Sequence, residues 1–259
     1  MEQKIFNLID DFLNNFSYED NILLENLNNF AKKMQKILNL TTNLQIFWKN
    51  SQSLFIEAST DIESNTICFN LCRKKIFERY KLNSRDENFC QTLSNIKEKL
   101  ATRQTDEFDA ALVWTIENKF DYLSKLGNWS DYPYSLVITI LHELWHHKQK
   151  QLSKKDVFYE FCICYRKYCK QIIQPIELDA NKFSYTILYN YFCHKKININ
   201  YINILCSYLS DANATEISNS IIQNFKQTQP NKFQQFKPYE QTIKNNIEDC
   251  ITHIKCLIN

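Results

Sequence analysis

Residues 137–151 read VITILHELWHHKQKQ, and they predict a buried helix that carries a pair of histidines on one face. His142, Glu143 and His146 form the pattern H-E-x-x-H. Residues four apart on a helix lie one turn above each other, so the two imidazole rings point the same way. The apolar residues around them favour a buried helix, in which imidazole nitrogens need partners.

The spacing of His142 and His146 allows both imidazoles to bind one metal ion, with Glu143 beside them to act on a metal-bound water. The alternative is an interior helix whose histidines bond to backbone or carboxylate groups. On a helix His147 points about 100° away from His146, so it is predicted to lie at the surface or against the ligands. Hydrolysis at zinc also needs a third protein ligand and an open fourth position.

The third ligand decides the class of site. An H-E-x-x-H-x-x-G-x-x-H extension is excluded because the chain has Gln149 and Leu152 at the decisive positions. A glutamate on a following helix is the other standard solution. The segment QPIELDANKFSYTIL (174–188) offers Glu177 and Asp179, with Glu160 upstream as a weaker candidate. We favour Glu177, although a carboxylate that interacts with a helix dipole is its alternative role.

Two segments, LHELWHH (141–147) and ELDANKF (177–183), resemble the motifs of the ImmA/IrrE-type zinc peptidases. In that family H-E-x-x-H is followed by a helix carrying E-x-x-A-N-x-F-A. The matching residues are Glu177, Ala180, Asn181 and Phe183, with Ser184 in place of the usual alanine and Trp145 where glycine is often found. The resemblance covers about residues 40–190.

The resemblance implies a compact gluzincin core, with NTICFNL (65–71) as the strand beside the active site. It implies Zn²⁺ held by His142, His146 and Glu177. Glu143 is then the general base, which takes a proton from the metal-activated water and delivers it to the leaving amine.

Several other side chains of the second segment are candidates for supporting roles. Asp179 is two residues from Glu177 and so points to another face of the helix. It is predicted either to contact a metal ligand without binding the metal itself or to lie at the surface. Asn181, one turn beyond Glu177, is placed to orient a ligand. Tyr185 and Tyr189 are candidate oxyanion donors about 80° and 120° round the helix from Glu177, with core packing as their favoured role.

The whole chain predicts an α+β fold that is mostly helical. One glycine and four prolines among 259 residues leave few positions for tight hairpins. The predicted elements are one or two amphipathic helices in 3–38, strands at 44–48, 53–58 and 65–71, and helices in 75–126, from about 130 to 152, in 154–171 and from Pro175 onward. Gly127 is the predicted cap of the helix before it, 128–134 a loop, Ser130 or Ser135 the next N-cap, and 227–238 a loop or linker.

These elements divide the chain into three predicted regions. Residues 1–40 are N-terminal helices packed on the core, and 191–259 are a C-terminal helical region. Residues 41–190 form the zinc-peptidase-like catalytic core, with a helical insertion at 75–130.

Composition limits the partners and the location. The 31 basic and 29 acidic residues give a net charge of +2, which indicates no nucleic-acid partner. No signal peptide is visible, and the longest apolar runs are about a third of the ~20 residues that a membrane-spanning helix needs. The ten cysteines form no C-x-x-C pair and are predicted to be reduced. We therefore expect a soluble, cytoplasmic protein whose oligomeric state the sequence does not indicate.

The sequence leaves three functions open. The first is a zinc-dependent endopeptidase that acts on a protein or peptide substrate. The second is a catalytically inactive zinc-binding, sensing or interaction protein built on a peptidase core. The third is a zinc hydrolase of a non-peptide amide, since the same activation of water would serve.

Overall fold

The computed structural model describes residues 2–50, 58–61, 63–80, 89–102, 104, 106–125, 132–169, 173–197 and 213–257. The chain forms two compact units, Met1–Ile140 and Leu141–Asn259. Its described residues are mostly helical with one small three-stranded mixed sheet, which confirms the predicted α+β fold. The three regions drawn from the sequence stay a prediction.

The first unit begins with two amphipathic helices, as predicted. Helix α1 (Glu2–Asn14) and helix α2 (Asp20–Ile37) bury apolar residues at helical spacing and contact each other. The rings of Phe12 and Phe30 meet edge to face at 5.7 Å between centroids. Burial of these aromatic side chains stabilises a helix pair more than helix propensity alone can.

The sheet of the first unit contains β1 (Gln45–Lys49), β2 (Ala58–Asp61) and β3 (Thr66–Asn70) in the order β1-β3-β2. Strand β1 pairs with β3 in parallel, and β2 pairs with β3 antiparallel. Strand β2 continues past the predicted end at residue 58, and residues 51–57 lie outside the described residues. The richness of the other two segments in Ile, Phe and similar strand formers predicted β1 and β3 to within one residue at each end.

Asparagine takes the left-handed turn positions that glycine usually occupies. Asn39 after α2 has φ 51°, and Asn65 before β3 has φ 56°. Asparagine tolerates this conformation better than other residues with a β-carbon. In the same hairpin the Asp61 carboxylate accepts the backbone N–H groups of Glu63 and Ser64, at 2.9 and 3.3 Å. Side-chain chemistry thus replaces glycine in these turns.

Three helices follow β3 in the first unit: α3 (Leu71–Tyr80), α4 (Phe89–Ala101) and α5 (Glu107–Lys125). Asp106 caps α5, because its carboxylate accepts the backbone N–H groups of Phe108 and Asp109. The predicted cap Gly127 lies outside the described residues, as does Ser130.

Helix α6 (Tyr132–Leu152) carries the H-E-x-x-H pattern. Residues 132–134 belong to this helix, so the loop prediction is wrong for them. Ser135 is buried inside the first turns of the helix and is not its N-cap. Pro133 occupies the first turn, where a missing backbone N–H costs nothing because that group has no partner within the helix.

The described residues of the second unit contain the later part of α6 and further helices. They are α7 (Val157–Tyr168), α8 (Pro175–Lys195), α9 (Ala214–Thr228), α10 (Pro230–Phe233) and α11 (Glu240–Cys256). Pro175 begins α8 as predicted, and Asp156 caps α7 by accepting the Phe158 N–H at 2.9 Å. Segment 227–238 is not a plain loop, since it contains the end of α9, α10 and a 3-10 turn at Lys237–Tyr239.

The core of the second unit holds a cluster of aromatic rings around Phe225, which is fully buried. Its neighbours are Phe161, Tyr165, Phe233 and Phe236, with centroid distances from 5.3 to 6.2 Å. These contacts bring α7, α9 and α10 together. The described cysteines are free thiols, as predicted, and Cys72, Cys162, Cys169 and Cys250 are buried. None of the helices that the structure describes is long and apolar enough to cross a membrane.

Candidate metal centre

Helices α6 and α8 bring the side chains of His142, His146 and Glu177 together within the second unit. The two histidines stand one turn apart on α6, and Glu177 lies in the first turn of α8 because Pro175 starts that helix. The Nε2 atoms of His142 and His146 are 3.0 Å apart. Glu177 Oε2 lies 3.1 Å from the first and 3.4 Å from the second.

These three atoms form a triangle of the size that a metal ion requires. Neighbouring donors of a tetrahedral zinc ion lie about 3.3–3.5 Å apart, close to the distances observed. A triangle with these edges has its centre about 1.8 Å from each corner, less than the ~2.0–2.2 Å of a zinc bond. One ion can therefore reach all three donors at bond length.

The donor group has three members, and two of them keep part of their side chain exposed to solvent. Within the described part of the chain, these three residues are the one group of His, Cys, Asp or Glu whose donor atoms converge in this way. Their side chains range in exposure from 3% for His146 through 17% for His142 to 37% for Glu177. A site with three protein donors and an exposed side leaves room for a water or a substrate atom.

Glu177 is charged at every physiological pH. Burial raises the pKa of its carboxyl, but the neighbouring imidazoles of His142 and His146 outweigh burial and hold the pKa well below its ordinary value. Two imidazoles and an ionised carboxylate are a donor set that suits zinc and other divalent transition metals. The chemistry of the donors and the distances between them both suit such a metal ion.

Gln149 connects the histidine pair to α8. Its Oε1 lies 2.8 Å from His146 Nδ1, and its Nε2 donates to the Ile176 carbonyl at 2.9 Å and to Asp179 Oδ2 at 2.8 Å. The side chain is fully buried. These contacts use both polar atoms of the side-chain amide. Gln149 therefore links the two helices that carry the donor group.

Asp179 is the buried acceptor at the far end of this connection. Besides Gln149 it accepts Trp145 Nε1–H at 2.6 Å on the same oxygen, and Cys250 Sγ lies 3.9 Å from its other oxygen. Burial raises the pKa of Asp179 above its ordinary value, and the bonds from Gln149 and Trp145 offset only part of that effect. The surface position predicted for Asp179 is wrong, because the residue is buried. Its observed partners are Trp145 and Gln149, and Gln149 in turn contacts His146.

Trp145, which stands at the position of the glycine in the ImmA/IrrE-type motif, packs on a residue of the second motif. Its ring stacks on Phe183 with 4.0 Å between centroids and 11° between planes. The same indole donates to Asp179. The aromatic stack and this hydrogen bond are contacts that the Trp145 side chain makes with α8.

The remaining predicted site residues lie outside the donor triangle. Glu143 is buried, in the turn between the two histidines. His147 is also buried, at 2% exposure, so the surface alternative for it is wrong. Asn181 and Tyr189 are half-buried, and Tyr185 is buried. The roles proposed for Asn181 and the tyrosines stay predictions.

Glu160, the weaker candidate for third ligand, is exposed on α7 and does not join the donor group. In the sequence, Gln149 stands out only because it is not the glycine of the extended H-E-x-x-H-x-x-G-x-x-H motif. A polar residue three positions after the second histidine is the signal that could have indicated its role, because residues three apart share a helix face.

The comparisons with known proteins identify no relative. No protein-family model matches the sequence, no curated protein matches it significantly, and no solved structure matches the fold significantly. The resemblance to the ImmA/IrrE-type peptidases therefore depends on the residues of the two motifs alone.

Proposed function

We propose that this protein is a zinc metallopeptidase that hydrolyses peptide bonds in a protein or peptide substrate. The observation that carries the proposal is the triangle of His142 Nε2, His146 Nε2 and Glu177 Oε2, with edges of 3.0–3.4 Å. Three protein donors converge here, and part of the Glu177 side chain is exposed. This supports a catalytic site over a closed structural one, since structural zinc sites use four protein ligands.

His142, His146 and Glu177 would hold the zinc ion. The ion would supply a Lewis acid that polarises a carbonyl oxygen and lowers the pKa of water towards about 7. Glu143 follows His142 directly and accepts the proton of the attacking water. The water oxygen bonds to the carbonyl carbon, the carbon–nitrogen bond breaks, and Glu143 returns the proton to the leaving nitrogen.

The cytoplasm is the proposed location. Free thiols in the described cysteines fit a reducing compartment. Asn181, Tyr185 and Tyr189 are retained as candidates for ligand orientation and oxyanion binding, with packing as the alternative for the tyrosines.

Metal analysis of the purified protein, followed by a substrate screen, tests the proposal. We expect about one zinc per chain, loss of zinc in His142→Ala, and retention of zinc with loss of cleavage in Glu143→Gln. A protein without stoichiometric metal contradicts the zinc site. Zinc with no cleavage of any peptide, or cleavage that Glu143→Gln leaves unchanged, contradicts the peptidase and favours an inactive zinc-binding protein or another hydrolase.

A further inference from the structure

We propose that Gln149 is a positioning residue: it locks His146 in the tautomer that binds metal and fixes the distance between that ligand and Glu177. The inference deepens the proposed function and rests on the metal site proposed above. It is carried by the hydrogen bonds of one fully buried amide.

The orientation of the Gln149 amide follows from its partners on α8. The end that contacts the Ile176 carbonyl and Asp179 Oδ2 faces two acceptors, so it must be the NH₂ group. A reversed amide would place its oxygen against two other oxygens and lose both bonds. The oxygen of Gln149 therefore faces His146.

This orientation selects one tautomer of the imidazole. An amide oxygen only accepts hydrogen bonds, so the ring atom 2.8 Å from it, Nδ1 of His146, must carry the proton. A neutral imidazole has one proton, and the lone pair then lies on Nε2. Nε2 is the atom that faces His142 and Glu177. The lone pair thus points into the donor triangle before any metal arrives.

The same side chain links the two helices that carry the ligands. Ile176 precedes Glu177, and Asp179 follows it by two residues. The Gln149 NH₂ group therefore donates hydrogen bonds to α8 on both sides of the third ligand in the sequence. Asp179 is itself held by Trp145 Nε1 from α6. Gln149 is consequently bonded to one ligand directly and to the backbone beside another.

The neutral amide also stands between the Asp179 carboxylate and the His146 ring. Asp179 bonds to Gln149 Nε2, while His146 bonds to the oxygen of the same amide, so no carboxylate contacts the His146 ring at Nδ1. A glutamate at position 149 would place a second carboxylate against Asp179. Gln149→Met removes the polar atoms at nearly constant volume, and Asp179→Asn keeps an oxygen that can accept both N–H groups while it removes the charge.

The tautomer is measured first, on metal-free protein labelled with ¹⁵N-histidine at alkaline pH. Long-range ¹H–¹⁵N spectra distinguish Nδ1–H from Nε2–H, and the peaks of His146 are assigned by their loss in His146→Gln. We expect the Nδ1–H form in the wild type and a mixed or Nε2–H form in Gln149→Met. An Nε2–H form in the wild type, or no change in Gln149→Met, overturns the inference whether or not the protein binds zinc.

Zinc affinity is measured next, by competition with a chromophoric chelator. We expect Gln149→Met to bind zinc about 10- to 100-fold more weakly than the wild type, the usual effect of losing a partner of a ligand. Asp179→Asn should stay within a few-fold of the wild type, while Asp179→Ala should weaken binding. Equal losses in Asp179→Asn and Asp179→Ala would mean that charge matters and geometry does not, which contradicts the positioning role.

Ser218→Ala is the matched control for general destabilisation. It removes a hydrogen bond of a buried side chain in the same unit, from Ser218 Oγ to Oε1 of the half-buried Glu248 at 2.7 Å, without touching the donor group. Its zinc affinity and His146 tautomer should equal those of the wild type. If Ser218→Ala weakens zinc binding as much as Gln149→Met, the effect of Gln149 is structural only. If the wild type binds no zinc, the proposed function fails while the tautomer result still tests the amide lock.

Discussion

Replacement of Glu177 by glutamine removes the one carboxylate of the donor triangle at almost constant volume. Glu177 Oε2 forms two of the three edges of the triangle, at 3.1 and 3.4 Å from the histidine nitrogens. In the variant His142 and His146 remain as a pair, and the site loses its negative charge. The metal-free fold should change little, because 37% of the Glu177 side chain is exposed and glutamine can be hydrated there.

The size of the effect follows from binding linkage. Zinc at 100 times its Kd adds about 2.7 kcal/mol to the free energy of unfolding, which raises Tm by about 5–11 °C for a domain of 150–250 residues. Loss of a residue that only supports a ligand weakens binding by up to about 100-fold, so loss of a ligand should cost at least as much. At the same zinc concentration the gain falls to about 0.4 kcal/mol, a rise in Tm of about 1–2 °C.

Calorimetric scans of the wild type and Glu177→Gln, each with and without zinc, measure this difference. Glu160→Gln is the matched control, because it makes the same chemical change at the exposed carboxylate on α7 that does not join the donor group. It should keep the full increase in Tm. An undiminished increase in Glu177→Gln, or a lost one in Glu160→Gln, would refute the assignment of the third ligand.

Three further predictions concern stability and are measured by urea unfolding. Asp106→Ala should lower the free energy of unfolding by about 1 kcal/mol, because it removes the cap of α5. The hydrogen bond from Arg79 lowers the pKa of Asp106 to about 2. The difference from the wild type should therefore be full above pH 5 and shrink as the pH falls from about 4 towards 2. Phe225→Ala should cost about 3–5 kcal/mol, because it opens a cavity among the rings of α7, α9 and α10. Asp20→Ala should cost more than Lys74→Met: the first deprives a fully buried ammonium of a partner, whereas the partners left by the second are 35–40% exposed.

Local patterns predicted the helices of this protein well and their ends less well. Helical spacing located α1 and α2, and Pro175 marked the start of α8, because both signals act within a few residues of the chain. The loop predicted at 128–134 extends too far, since residues 132–134 are helical, and tyrosine and proline suggest a loop as readily as the first turn of a helix. Likewise β2 continues to Asp61, beyond the predicted end at residue 58, because its pairing with β3 and the turn at Asp61 set its end.

The sequence by itself determined the pair His142 and His146, because a spacing of four residues on a helix places two rings on one face whatever surrounds them. It also offered three carboxylates for the third position and could rank them only by their place along the chain and by a family resemblance. Only the tertiary structure separates their positions: Glu177 lies beside the histidines, Asp179 contacts Gln149 and Trp145, and Glu160 is exposed. Contacts between residues about 30 positions apart depend on how two helices cross, and no local spacing encodes that crossing.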